Sequence, residues 1–169
     1  MTAKPPTKRN IQKEQLLSSA QLPLVSLLAY WLGYNFTVLF FDSAPQIGGI
    51  WSAISAVYVL QASYKESKKT ATTRVMGTAI GSAISAIYLS FLPFHVLGLG
   101  ATVYAAGLIC IALKMPSWMK LSANTVLVVM VTTAVDPEMN AALNALLRFV
   151  ESLIGTAIAV VVAALWPLL

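Results

Sequence analysis

The chain has 169 residues, of which 58% are hydrophobic and 10% charged, with eleven basic against six acidic residues and a net charge of +5. Soluble domains are about one-quarter charged, so this composition belongs to an integral membrane protein. It excludes a nucleic-acid-binding domain, which spreads its cations over a solvated face and lacks uncharged spans. The single cysteine, Cys110, lies in an apolar run and offers neither a disulfide framework nor a cysteine metal site.

Taken in chain order, residues 1–15 form a polar, basic segment, MTAKPPTKRNIQKEQ. The apolar run that follows is too long and bulky for a signal peptide and reads as a retained first span over residues 16–41. A second span is predicted over 47–63, before the cationic stretch KESKKTATTR. A third covers 72–92, a fourth 96–113, a fifth 121–135 and a sixth 141–166, to be compared with the roughly 20 mostly apolar residues that a membrane-spanning helix needs. The predicted fold is an all-α integral membrane protein of six transmembrane helices, with residues 16–169 as the membrane domain.

The charges test this division, because cytoplasmic loops carry the excess of lysine and arginine. Lys4, Lys8, Arg9 and Lys13 precede the first span; Lys65, Lys68, Lys69 and Arg74 follow the second; Lys114 and Lys120 flank the loop after the fourth. All fall on one side, whereas the opposite loops hold Asp42, His95, Asp136 and Glu138 and no lysine. Both termini are predicted to be cytoplasmic, in a bacterium at the inner membrane.

A repeat is visible at an offset of 74 residues: RVMGTAIGSAISAIYLSFLP from Arg74 aligns without gaps with RFVESLIGTAIAVVVAALWP from Arg148. It pairs Arg74 with Arg148, Gly81 with Gly155 and Pro93 with Pro167, and further back Tyr30 with Tyr104 and Gly33 with Gly107. The second and fifth spans agree only in hydropathy. Three spans per repeat, over about 22–93 and 96–167, force the halves to run in opposite senses, an arrangement in which substrate sites lie near the repeat interface.

The segment IWSAISAVYVLQASYKESKKTATTRVMGTAIG resembles the fusaric acid resistance and aromatic acid exporter superfamily, in which a Trp-containing span leads through a polar turn into an R-x-x-G-T-x-x-G helix. Plant aluminium-activated malate channels share a similar segment. Trp51, Arg74, Gly77, Thr78 and Gly81 match the pattern, and the later R-x-x-x-x-x-I-G segment with its terminal Trp-Pro resembles the sixth span of that module. The turn QASY departs from the Pro-Ser of many relatives. The resemblance implies one module that moves organic anions, aromatic carboxylates among them.

Candidate site residues follow from what is costly inside a membrane. Arg148 and Glu151, three apart on one helical face, either neutralise each other or leave Arg148 to hold an anion, with Glu151 as a titrating carboxylate. Arg74, placed near a helix N-terminus, either forms an anion-attracting mouth with Lys68, Lys69 and Thr72 or Thr73, or snorkels to lipid phosphate. Gln61, Tyr64 and Asn124 either line a path or hydrogen-bond between helices. Gly77 and Gly81 form a GxxxG that, with Gly155, permits close helix packing. Trp31, Trp51, Trp118 and Trp166 read as an interfacial belt, and Tyr30 and Tyr104 as core packing or a stacking surface.

One histidine, one cysteine and no phosphate-binding loop leave no basis for catalysis, a metal or a cofactor. The expected function is export or channel-like passage of organic carboxylates by a homo-oligomer, favoured as a dimer, whose partners are the lipid bilayer and a small organic anion, with no nucleic acid. The competing expectation is a non-transporting membrane interaction or regulatory subunit.

Overall fold

A computed structural model describes residues 8–40, 45–136 and 139–166. These form six α-helices: α1 (Lys8–Phe40), α2 (Pro45–Val59), α3 (Tyr64–Phe91), α4 (Val96–Ala112), α5 (Met119–Val135) and α6 (Ala141–Leu165), with a short 3-10 turn at Pro116–Trp118 before α5. No strand occurs among the described residues. The expected loop charges Asp42 and Glu138, with Lys4, lie outside the described residues.

Four segments are long and apolar enough to cross a membrane: Ser19–Phe40, Tyr64–Phe91, Pro116–Val135 and Ala141–Leu165. The apolar helix Val96–Ala112 is shorter, with 17 residues. Helix α2 has 15 residues, about 22 Å at 1.5 Å per residue against a hydrocarbon core of about 30 Å. It ends at Val59 and does not reach Ser63, the limit expected from hydropathy.

The largest revision concerns α3, which begins at Tyr64, eight residues before its expected start at Thr72. The local cause is a serine N-cap, steadied by the glutamate three residues on. Ser63 Oγ accepts from the Glu66 backbone N–H at 3.3 Å, and the Glu66 carboxylate accepts from the Ser63 hydroxyl at 3.2 Å. The cationic stretch is therefore the first turns of a helix. Polar side chains cap two other helices: Asn140 Oδ1 accepts from Ala142 and Leu143 N–H at α6, and His95 Nδ1 from Leu97 N–H at α4. Helix α4 closes in a Schellman arrangement, with Lys114 at φ 60° and the Met115 N–H bonded to the Cys110 carbonyl.

Helices α3 and α6 pack against each other, α2 lies on α6, and α5 lies on α3. Helix α1 packs on α2 and borders α6, while α4 packs on α5 and borders α3. Small residues set these approaches. A Cβ on Gly155 would run into the backbone carbonyl of Ser52 on α2, and one on Gly81 would lie 2.5 Å from the Ser122 carbonyl oxygen on α5. Gly77 abuts Leu121 and the Trp118 carbonyl, so both glycines of the GxxxG face α5 of the same chain. Apolar packing gathers in two groups: Val25, Ala29, Ala56, Val59 and Ala159 between α1, α2 and α6, and Ala106, Val126 and Met130 between α4 and α5.

Between these groups the interior is polar. Ser52, Ser55, Thr78, Ser82, Ser85, Thr125, Asn144, Ser152 and Thr156 are buried on the facing surfaces of α2, α3, α5 and α6. The outer faces carry Leu, Ile and Val, as a lipid-facing surface requires.

Candidate functional site

Arg74 lies ten residues into α3 and is 2% exposed. Helix-dipole stabilisation fades within the first turn, and a buried guanidinium does not reach lipid phosphate. Neither the helix N-terminus nor snorkelling therefore describes Arg74. Its Nη2 donates to Ser55 Oγ at 2.8 Å, and its Nε–H is shared between Ser55 Oγ and Ser152 Oγ, each at 3.2 Å. The Ser152 and Thr78 hydroxyls lie 3.3 Å apart, which joins α2, α3 and α6. The guanidinium stacks over the Trp51 ring at 4.7 Å and lies 5.9 Å from the Tyr58 ring, the cation–π geometry that arginine favours. Among the described residues no carboxylate pairs with it.

Arg148 is buried on α6, one turn before Ser152. Its Nη1 lies 3.0 Å from Glu151 Oε2, so the two residues do pair. The contact is an ion pair without hydrogen-bond alignment, and among the described residues Arg148 Nε has no partner. The other carboxylate oxygen, Glu151 Oε1, accepts from the Thr37 hydroxyl of α1 at 2.7 Å. Gly48 makes room for this bond, since a Cβ there would run into Thr37 Oγ1 and lie 2.5 Å from Glu151 Oε1. Ser52 Oγ donates to the Glu151 carbonyl at 2.8 Å.

Trp51 joins the two arginines. Its ring lies under Arg74, and its indole N–H donates to the Arg148 carbonyl at 2.9 Å. It is buried and takes no part in an interfacial belt, unlike Trp31, which is exposed. Among the described residues the buried cluster thus holds two guanidinium groups and one carboxylate, a surplus of one positive charge, framed by hydroxyls and one indole.

Lys68 and Lys69 are exposed on the first turns of α3 and do not join this cluster. The Thr72 and Thr73 hydroxyls are spent on the Lys68 and Lys69 carbonyls. Gln61 and Tyr64 lie near each other in a separate cleft of about 240 Å³ with Gln21 and Trp166. Asn124 is exposed on α5. Tyr30 stacks on Tyr34 at 6.1 Å between centroids, and Tyr104 is 69% exposed and therefore not core packing. Besides Tyr58, the residues of the cluster that hydropathy and charge did not single out are Thr37, Ser52, Ser55 and Ser152. Their signal is a recurrence of hydroxyls on one face of α2 and α6, shared by many membrane helices that only back-bond to their own carbonyls.

On the side of Arg148 away from Arg74's hydroxyl partners lies a cleft of about 420 Å³. Ile47, Val131, Thr132, Val135, Asp136, Met139, Asn144 and Arg148 line it, at the end of the bundle opposite the lysines of α3.

A six-helix, multi-pass membrane protein with a cationic cluster buried between its central helices is the class defined by this architecture. The chain belongs to the fusaric acid resistance protein-like family, whose sequence profile matches residues 24–162 and so takes in every member of the cluster. The family is one of membrane transporters. No curated protein and no solved structure matches the chain.

Proposed function

We propose that the protein passes organic carboxylate anions, aromatic acids among them, across the bacterial inner membrane, with both termini cytoplasmic. The observation that carries this is the unneutralised guanidinium of Arg74. A cation inside a membrane protein is expensive unless it is paired, and Arg74 is held by hydroxyl oxygens and aromatic faces, which orient a guanidinium without cancelling its charge. An anion entering the cluster supplies the missing charge. Trp51 and Tyr58 offer flat apolar surface beside it, which suits an aromatic body. The exposed Lys65, Lys68 and Lys69 attract anions to the cytoplasmic end.

The proposed architecture is two inverted three-helix repeats, residues 22–93 and 96–167. The exchange of packing partners supports it: α2 lies on α6 as α5 lies on α3, and α1 borders α6 as α4 borders α3. Thr78 and Ser152, equated by the 74-residue offset, are in direct contact. For α2 and α5 the correspondence is 70 residues, because the Ser52 and Ser122 carbonyls occupy equivalent positions against Gly155 and Gly81. Under it Arg74 and Arg148 are counterparts, while Glu151 corresponds to Gly77, so only one of the two arginines receives an acid. The assembly proposed is a homodimer.

Transport is tested by flux of benzoate and malate into proteoliposomes, with and without a pH gradient. Saturable flux of either anion is expected, and its response to the gradient reports whether protons accompany it. Absence of flux in a correctly inserted sample supports a non-transporting interaction subunit instead.

A further inference from the structure

The cleft beside Arg148 contains two buried groups with unmet hydrogen-bonding capacity. Asn144 is fully buried, and its side-chain nitrogen lies 2.7 to 3.0 Å from Thr132 Oγ1, Thr133 Oγ1 and the Val129 carbonyl. These contacts fix the orientation of the amide, because the Val129 carbonyl is an acceptor and both threonine hydroxyls already donate to backbone carbonyls of α5. Among the described residues Asn144 Oδ1 is then an acceptor without a donor. One turn along α6, Arg148 presents Nη1 to Glu151 and keeps Nε without a partner. A guanidinium has a second edge, through Nε, that binds a carboxylate in the plane of the fork.

Buried polar atoms are nearly always satisfied, and both residues line the same 420 Å³ cleft. Residues four apart on a helix stand about 5–6 Å from each other. One small molecule can therefore reach both, provided it carries an acceptor anion for Arg148 and a donor for Asn144 on adjacent atoms. The remaining walls, Ile47, Val131, Val135 and Met139, are apolar. We infer that this cleft is a ligand subsite for carboxylates bearing a hydrogen-bond donor on the neighbouring carbon, with Asn144 Oδ1 reading the donor and the free edge of Arg148 holding the carboxylate. The inference rests on the transport function proposed above and adds a specificity-determining residue to it. The donor chemistry is shared by an α-hydroxyl and an α-ammonium.

Phenylacetate, mandelate and phenylglycine share one carbon skeleton and differ at the α-carbon by hydrogen, hydroxyl and ammonium. In proteoliposomes of the full chain, mandelate or phenylglycine is expected to half-saturate transport at a concentration roughly threefold to tenfold below that of phenylacetate, the worth of one net hydrogen bond. The better of the two identifies the donor. Asn144→Leu is expected to abolish the discrimination while phenylacetate is still carried. Ile47→Trp, which adds bulk to another lining residue of the cleft and is not a bonding partner of Asn144, is expected to weaken all three and keeps the test available if Asn144→Leu does not fold. Equal half-saturation by the three compounds in the unaltered protein overturns the inference, as does discrimination that survives Asn144→Leu or a site indifferent to Ile47→Trp. In each of these cases benzoate or malate flux persists. Absence of flux for every anion overturns the transport function itself.

Discussion

Arg74 on α3 and Arg148 on α6 are both buried, yet their surroundings ask different things of them. Arg148 has an acid beside it, and Glu151 is in turn held by Thr37. Removing the arginine alone strands a buried carboxylate, which costs about 3–5 kcal/mol, whereas replacing both charges by apolar groups is often neutral. Arg148→Leu is therefore expected to lower thermal stability in detergent sharply, and Arg148→Leu combined with Glu151→Leu to recover most of the loss; equal destabilisation by the single and double variants would contradict the pairing. Both arginines were legible in the sequence because ionisable residues within membrane spans are rare. Trp51 was not recognised as a bridge between them: a tryptophan near a span end fits an interfacial belt equally well, and its burial is decided by α6, almost a hundred residues away.

Helix boundaries followed local chemistry where hydropathy could not see it. The apolar window begins near Thr72, but the Ser63 N-cap in SYKE starts α3 at Tyr64 and turns a supposed loop into two helical turns. The serine and the glutamate three residues later were visible in the sequence as a start signal; a span count based on hydropathy passes over it because the turn is charged. The second and fifth spans matched only in hydropathy at the 74-residue offset; under the proposed repeat they correspond at 70 residues, one helical turn away, which a gapless register does not follow. Glycines separate by their neighbours in the same way. Gly155 faces the Ser52 carbonyl, an atom fixed in a helix backbone, while a Cβ on Gly107 would meet only the Met119 methyl at 3.5 Å, an ordinary contact. Gly155→Ala is expected to prise α6 from α2 and lower the melting temperature. Gly107→Ala is expected to leave stability unchanged or raise it by up to about 1 kcal/mol, the helix-propensity difference. Thermal unfolding of the two variants side by side checks the contrast.

For the molecule as a whole, composition and spacing sufficed for an all-helical membrane protein of six helices, because long apolar runs have few other uses. They did not reveal that the polar residues converge. Hydroxyls from α1, α2, α3 and α6 meet around two guanidinium groups only once the helices pack, and Lys68, Lys69 and Asn124, equally polar in sequence, point away. Among the described residues the buried cluster carries one more positive charge than negative, and that surplus resides on Arg74. A structural arginine and an anion-holding arginine differ in what their loss does. Arg74→Gln removes an unpaired buried charge and leaves Ser55 bonded to the Trp51 carbonyl, so stability is expected to hold or rise slightly. Anion flux is expected to fall at least tenfold, and Arg74→Lys is not expected to restore it, because an ammonium lacks the planar fork that spans Ser55 and Ser152.

The most direct test pairs these two readouts on one variant: benzoate and malate flux into proteoliposomes containing Arg74→Gln, with thermal unfolding measured on the same preparation. Lost flux in a protein that unfolds at or above the original temperature is the predicted result. Undiminished flux, or flux lost only in step with stability, would contradict an anion path through Arg74.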